Sequence, residues 1–216
     1  MAATKENPSG KSPSAKSSSP RPRGLLWLVA GFAAALALSA AGLSLLTPEK
    51  PGAPAPAAIG GPFVLETGDG RKLSDAELRG APFLVFFGYT HCPDICPTTL
   101  FQISEILRAL GPEAKIKALF VTVDPERDTP QVMQDYVGSF DPRIIGLSGD
   151  RAAINKVMAE YRVYARKAPG KSDEYSMDHS ALVYLMDRDG RFVRGFNIER
   201  PPEQAAAELR SALAAQ

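Results

Sequence analysis

The only two cysteines of this chain stand at i and i+4 in Gly88-Tyr89-Thr90-His91-Cys92-Pro93-Asp94-Ile95-Cys96-Pro97, beside one of its two histidines, and this stretch constrains the fold more than any other. It follows Pro82-Phe83-Leu84-Val85-Phe86-Phe87, an apolar run rich in β-formers that predicts a buried strand. It precedes a helical pattern in which Pro97 suits the first turn and Leu100, Ile103, Ile106, Leu107 and Leu110 share one face. The thiols are thereby expected at a strand-to-helix junction, where unpaired backbone N–H groups and the positive end of the helix dipole favour thiolate over thiol. Cysteines so spaced, flanked by prolines and a histidine, point to redox chemistry or metal binding rather than to packing. The spacing is one residue longer than Cys-x-x-Cys. It allows the pair to close on one metal ion or, after local adjustment, to oxidise to a disulfide.

The rest of the domain reads as strands alternating with helices. Phe63–Thr67 and Arg71–Leu73 around Gly68-Asp69-Gly70 predict a first hairpin, and Ser74-Asp75-Ala76-Glu77 has the form of a capping box. Ile116–Val123 predicts a second central strand, followed by the loop Asp124-Pro125-Glu126-Arg127-Asp128, read as a solvated entrance to a helix that Thr129-Pro130 caps and starts. A short strand at Ile144–Leu147 precedes a helix capped by Asp150 and carrying Ile154, Val157, Met158 and Tyr161. His179 leads a strand, Ala181–Met186, that turns through Asp187-Arg188-Asp189-Gly190 into Arg191–Phe196, and Pro202–Ala215 supplies a last helix. This order predicts an α/β, thioredoxin-like domain with a central mixed sheet flanked by helices, spanning residues 59–216.

Ahead of that domain the composition changes twice. Residues 1–23 are rich in Ser and Pro and carry five basic side chains against the single acid Glu6, so they cannot bury a core and are expected to be disordered. Residues 24–46 contain no charge and exceed the roughly 20 apolar residues that cross a bilayer as a helix. With the basic residues on its N-terminal side, this run predicts a single-pass anchor with the domain on the far side, in the periplasm of a bacterial inner membrane. A cleaved signal peptide, with Leu38-Ser39-Ala40 near the cut, is the competing reading of the same run. The acid-poor leader also loosely resembles a mitochondrial transit segment, which would place the domain in the intermembrane space. Residues 47–58, rich in Pro and Ala, form a semi-rigid spacer. With 25 Lys and Arg against 24 Asp and Glu, net charge gives no reason to expect nucleic acid as a partner.

Two thiolates and an imidazole form a soft, three-coordinate set suited to Cu(I), whereas zinc ordinarily takes a fourth ligand or a water. His91 adjoins Cys92, so converging both on one ion would strain the backbone. His179, on a different segment and next to Asp178, is free to approach. Met177 is a further soft donor, though core packing accounts for it equally well.

Gly88-Tyr89-Thr90-His91-Cys92-Pro93-Asp94-Ile95-Cys96-Pro97, Val123-Asp124-Pro125-Glu126-Arg127-Asp128-Thr129-Pro130, Tyr161-Arg162-Val163-Tyr164 and Asp178-His179-Ser180 together resemble the SCO/SenC family of membrane-anchored copper proteins. The resemblance implies a thioredoxin-like fold and copper, as Cu(I) and also Cu(II), held by Cys92, Cys96 and His179. It also implies delivery of copper to the binuclear copper centre of cytochrome c oxidase, with that enzyme's copper-bearing subunit, a copper donor protein and a thiol reductant as partners. The alternative is a thiol-disulfide oxidoreductase in which Cys92 and Cys96 are the redox-active pair that keeps the cysteines of that centre reduced. A thiol peroxidase is disfavoured, because Thr90 stands two residues before Cys92 where a Thr-x-x-Cys arrangement would need three.

Overall fold

The computed structural model describes residues 27–28, 31–39, 58–168 and 175–214. Residues 27–28 and 31–39 are helical, and Trp27, Leu28, Phe32, Leu36 and Leu38 are exposed. The remainder of the expected anchor 24–46, the segment 1–23 and nearly all of the spacer 47–58 lie outside the described residues. No helix among the described residues is long and apolar enough to cross a membrane. The chain divides between Pro54 and Ala55, and the domain belongs to the second unit.

Within that unit the strands are β1 (Val64–Thr67), β2 (Lys72–Ser74), β3 (Phe83–Gly88), β4 (Lys117–Thr122), β5 (Ile144–Ser148), β6 (Ala165–Lys167), β7 (Met177–His179), β8 (Val183–Met186) and β9 (Phe192–Gly195). The helices are α1 (Ile95–Leu110), α2 (Pro130–Val137), α3 (Arg151–Glu160) and α4 (Pro202–Ala214). Seven strands form one mixed sheet in the order β2-β1-β5-β4-β3-β8-β9, and among the described residues β6 pairs only with β7. The thioredoxin-like α/β architecture expected from the sequence is thus present in the domain.

The parallel core β5-β4-β3 explains the apolar runs. A parallel strand covered on both faces has no polar side to alternate with, and all six residues of β3 are buried. Phe83 to Gly88 pair in register with Lys117 to Thr122, so Gly88 and Thr122 end side by side. The Cys92 loop and the Asp124 loop therefore leave the sheet at the carboxyl ends of neighbouring strands, the edge where open α/β sheets place their ligands. The helix faces follow their spacing. Leu100, Ile103, Ile106, Leu107 and Leu110 of α1 are all buried, and Phe86, Phe120 and Tyr136 stack in succession beneath the site.

Local signals hold at their positions. Thr129 Oγ1 accepts from Val132 N at 3.3 Å and Asp150 Oδ1 from Ala153 N at 2.7 Å, capping α2 and α3 as expected. The Ser74–Glu77 capping box is formed but starts one turn of 3₁₀ helix, Asp75–Leu78. Two expectations are corrected. His179 does not lead β8; it ends β7 in the separate hairpin with β6, and β8 starts at Val183. The Asp124–Asp128 loop is no solvated entrance either, since both carboxylates are fully buried.

Candidate metal centre

Cys92 sits in the loop after β3 and Cys96 in the first turn of α1, while His179 arrives from the β6–β7 hairpin. One ligand atom from each lies within 4.8 Å of the other two. His179 Nε2 stands 3.8 Å from Cys96 Sγ, and the backbone N–H of Cys96 donates to Cys92 Sγ at 3.4 Å. His179 Nδ1 lies 2.9 Å from the Ser180 carbonyl oxygen, which can only accept. The proton therefore resides on Nδ1 and the Nε2 lone pair faces the sulfurs, the tautomer that a metal-ligating imidazole needs. Tyr89 meets the imidazole edge-on at 5.7 Å and fixes its plane from the side. The donor set is two sulfurs and one nitrogen at mutual distances short enough to share one ion, and it fits a soft metal.

The two sulfurs differ in environment: Cys96 is fully buried and Cys92 partly exposed. Burial pushes the Cys96 thiol well above its ordinary value, against the opposing hydrogen bond to the Tyr89 backbone, and the proximity of Cys92 raises it further. The expected preference for thiolate at the strand-to-helix junction is thus reversed at Cys96. Loss of water around the sulfur outweighs the helix terminus, so the copper-free site favours the protonated thiol at Cys96. Both cysteines are free.

Of the other candidates, His91 falls outside the cluster, while Met177 lines the same pocket as Tyr89, Cys92 and His179. His91 is exposed, with Nδ1 3.1 Å from Thr90 Oγ1 and 3.9 Å from Asp128 Oδ1. Met177 is buried in the core.

Sequence reasoning missed the groups that hold the cysteine loop. Asp128 Oδ2 accepts from Thr90 N at 3.0 Å and from Thr122 Oγ1 at 2.7 Å, and Oδ1 accepts from Thr90 Oγ1 at 2.6 Å. A carboxylate taken wholly out of water is stable only with such donors, and here they staple the start of the cysteine loop to β4. Gly88 was quoted only as part of the motif. A Cβ there would stand 2.7 Å from Cys96 Sγ and 2.7 Å from Phe120, so the side-chain-free position makes room for the sulfur.

With this geometry established, the sequence model of the SCO1/SenC family matches residues 51–214. The chain belongs to the SCO1/SenC family. Among its relatives, the SCO2-like protein of Rickettsia felis is 38% identical over 171 residues, covering 75% of this chain and 83% of that one. The mitochondrial SCO2 homolog of Bos taurus is 42% identical over 164 residues, covering 74% and 62%. In three dimensions the chain is similar to copper-bound ScoI of Bradyrhizobium japonicum, with 60% identity and a TM-score of 0.70, covering 72% of this chain and all (100%) of that one. Among the described residues, Cys92, Cys96 and His179 are the group of His, Cys, Asp and Glu side chains placed closely enough to share one metal ion.

Proposed function

We propose that this protein is a membrane-anchored copper metallochaperone that carries copper on Cys92, Cys96 and His179 and assists assembly of the binuclear copper centre of cytochrome c oxidase. The observation that carries the reading is the convergence of two sulfurs with an imidazole that is bonded through Nδ1 to the Ser180 carbonyl and turns its Nε2 toward the sulfurs. The copper-bound ScoI structure, 60% identical, supports copper as the cargo, and the family resemblance supports the oxidase as its destination. The anchor at 24–46 and a periplasmic domain complete the reading, and an intermembrane-space domain is the mitochondrial counterpart. Copper would supply the positive charge that makes a buried thiolate at Cys96 tolerable. Its binding releases the thiol protons, so uptake weakens as pH falls.

The unequal exposure of the sulfurs supports the oxidoreductase as a second reading. A Cys92 thiolate can attack a disulfide of the partner, forming a mixed disulfide and releasing one partner thiolate. Cys96, once deprotonated, then attacks Cys92 Sγ and releases the second, so two electrons pass to the partner and a Cys92–Cys96 disulfide remains. The two readings meet in one experiment, because a disulfide offers no thiolates to a metal. Full-length protein purified in detergent is titrated with Cu(I), fully reduced and fully oxidised, side by side. Uptake of one Cu(I) per chain by the reduced form alone is expected. Equal uptake by both would remove the cysteines from the ligand set and leave a redox protein with a structural histidine.

A further inference from the structure

The main sheet does not explain how His179 is held over the cysteines. Its strand, β7, has three residues and among the described residues pairs only with β6, outside the seven-stranded sheet. The ladder reaches its end at Ala165 opposite His179, with the Ser180 N–H donating to the Tyr164 carbonyl at 3.0 Å. An isolated two-stranded hairpin is marginal in water, so its placement must come from side chains.

Tyr89 and Phe86 meet the imidazole itself and Met177 is buried in the core, and a further set of side chains converges on Tyr175, four residues before His179. The Tyr175 hydroxyl lies 2.8 Å and 2.9 Å from the two carboxylate oxygens of Asp124, a residue with no solvent exposure at the end of β4. Arg127 donates through Nη1 to the Tyr175 carbonyl at 3.0 Å and through Nε to Asp124 at 2.5 Å, with its guanidinium 3.7 Å from the centre of the Tyr175 ring. On the other strand of the hairpin, Lys167 places its ammonium 4.3 Å from the same ring and pairs with Glu126 at 2.5 Å. Asp124 is itself fixed to β4, since its N–H donates to Thr122 Oγ1 at 2.9 Å. Arg127 Nη2 is buried and has no hydrogen-bond partner among the described residues, so the guanidinium is placed for stacking on the ring at the expense of a donor. Burial, reinforced by the Asp124 carboxylate, raises the Tyr175 phenol, which remains a donor at neutral pH.

We propose that Tyr175 is a positioning residue for His179: its hydroxyl, clamped on Asp124, fixes the hairpin that carries the imidazole, and the site holds copper tightly only while that clamp is closed. This rests on the metal-binding reading above. Tyr175→Phe deletes the clamp and keeps the ring under Arg127; Asp124→Asn weakens the acceptor and keeps its shape. In the full-length protein, each variant is expected to lower Cu(I) affinity about tenfold against a chromophoric chelator, within the range for removing a group that orients a metal ligand. Because the effect acts through the imidazole, Tyr175→Phe combined with His179→Ala binds no more weakly than His179→Ala alone. The Cys92–Cys96 midpoint potential of Tyr175→Phe equals that of the parent protein, whereas a general loosening of the domain would shift it. Parent-like copper affinity in Tyr175→Phe, or losses that multiply in the double variant, overturns the proposal. A Cys92→Ser chain that keeps copper overturns the binding reading and this proposal with it. Parent-like binding by Tyr175→Phe beside a copper-free Cys92→Ser chain overturns the proposal alone.

Discussion

Gly88 and Cys96 meet so closely that a single methyl group on Gly88 would stand 2.7 Å from the Cys96 sulfur. Gly88→Ala therefore displaces either that sulfur or the Phe120 ring packed on the other side. A loss of about 1–3 kcal/mol in chemical denaturation is expected, in the range for overpacking a core, together with weaker Cu(I) binding than in the parent. Unchanged stability and unchanged binding together would show that the sulfur has room to move.

The three candidate ligands are not equivalent. Cys92→Ser or Cys96→Ser leaves one thiolate and one imidazole, and stoichiometric Cu(I) binding is lost. His179→Ala leaves two thiolates, which can hold Cu(I) linearly, so its affinity falls less steeply in the same titration. One Cu(I) per chain on the double Cys-to-Ser variant would refute the site.

Asp128→Ala removes the acceptor of three hydrogen bonds donated by half-buried Thr90 and fully buried Thr122 and leaves those donors unpaired. A loss of about 3 kcal/mol is expected in urea unfolding. Cysteine-loop amides that lose protection from hydrogen exchange ahead of those in β4 would mark the unstapled end.

Tyr136 stacks on Phe120 with its hydroxyl buried and without a partner among the described residues. Burial, and after it the proximity of Cys96, Cys92 and Asp128, pushes its phenol up to about 12. Both Tyr136 and Cys96 thus have folded values above their unfolded ones, so the fold favours their protonated forms. That contribution is fully present below the unfolded values, about 8.5 for a thiol and about 10 for a phenol, and is lost as pH rises through the folded ones. Reduced, copper-free protein should lose stability progressively above about pH 9. Tyr136→Phe should be neutral or up to about 1 kcal/mol more stable at pH 7 and lose less above pH 10. A variant clearly less stable at neutral pH would show that the hydroxyl has a partner.

The proposed anchor makes a topological prediction. Protease added to intact spheroplasts should digest the domain and spare the basic leader, as judged with antibodies against each. The opposite pattern would overturn the periplasmic placement.

What the sequence reveals and conceals has a common physical origin. β3, α1 and the caps at Thr129 and Asp150 are legible because their determinants lie within a few residues: an apolar run, a helical repeat, a side-chain oxygen before a helix. The β6–β7 hairpin is illegible because Ala165-Arg166-Lys167 and Met177-Asp178-His179 are short and polar, with no alternation to report a buried face. Asp124 and Asp128 read as solvated acids because the partners that make their burial tolerable, Tyr175 and Thr90, are 51 and 38 residues away in the chain. Their burial is a tertiary fact that no local window contains.

The unequal depth of the two sulfurs would give any metal exchange at the proposed centre a direction. An approaching donor or acceptor can touch Cys92 and the rim of His179, while Cys96 is reachable only by something already inside. On the copper-carrying reading proposed above, an arriving ion would meet Cys92 first and Cys96 last, and departure along the same path would retrace it, with the Cys96 bond broken first and the Cys92 bond last. On that reading a cargo would stay bonded to the exposed sulfur until a partner holds it, so the hand-over would not pass through a free ion.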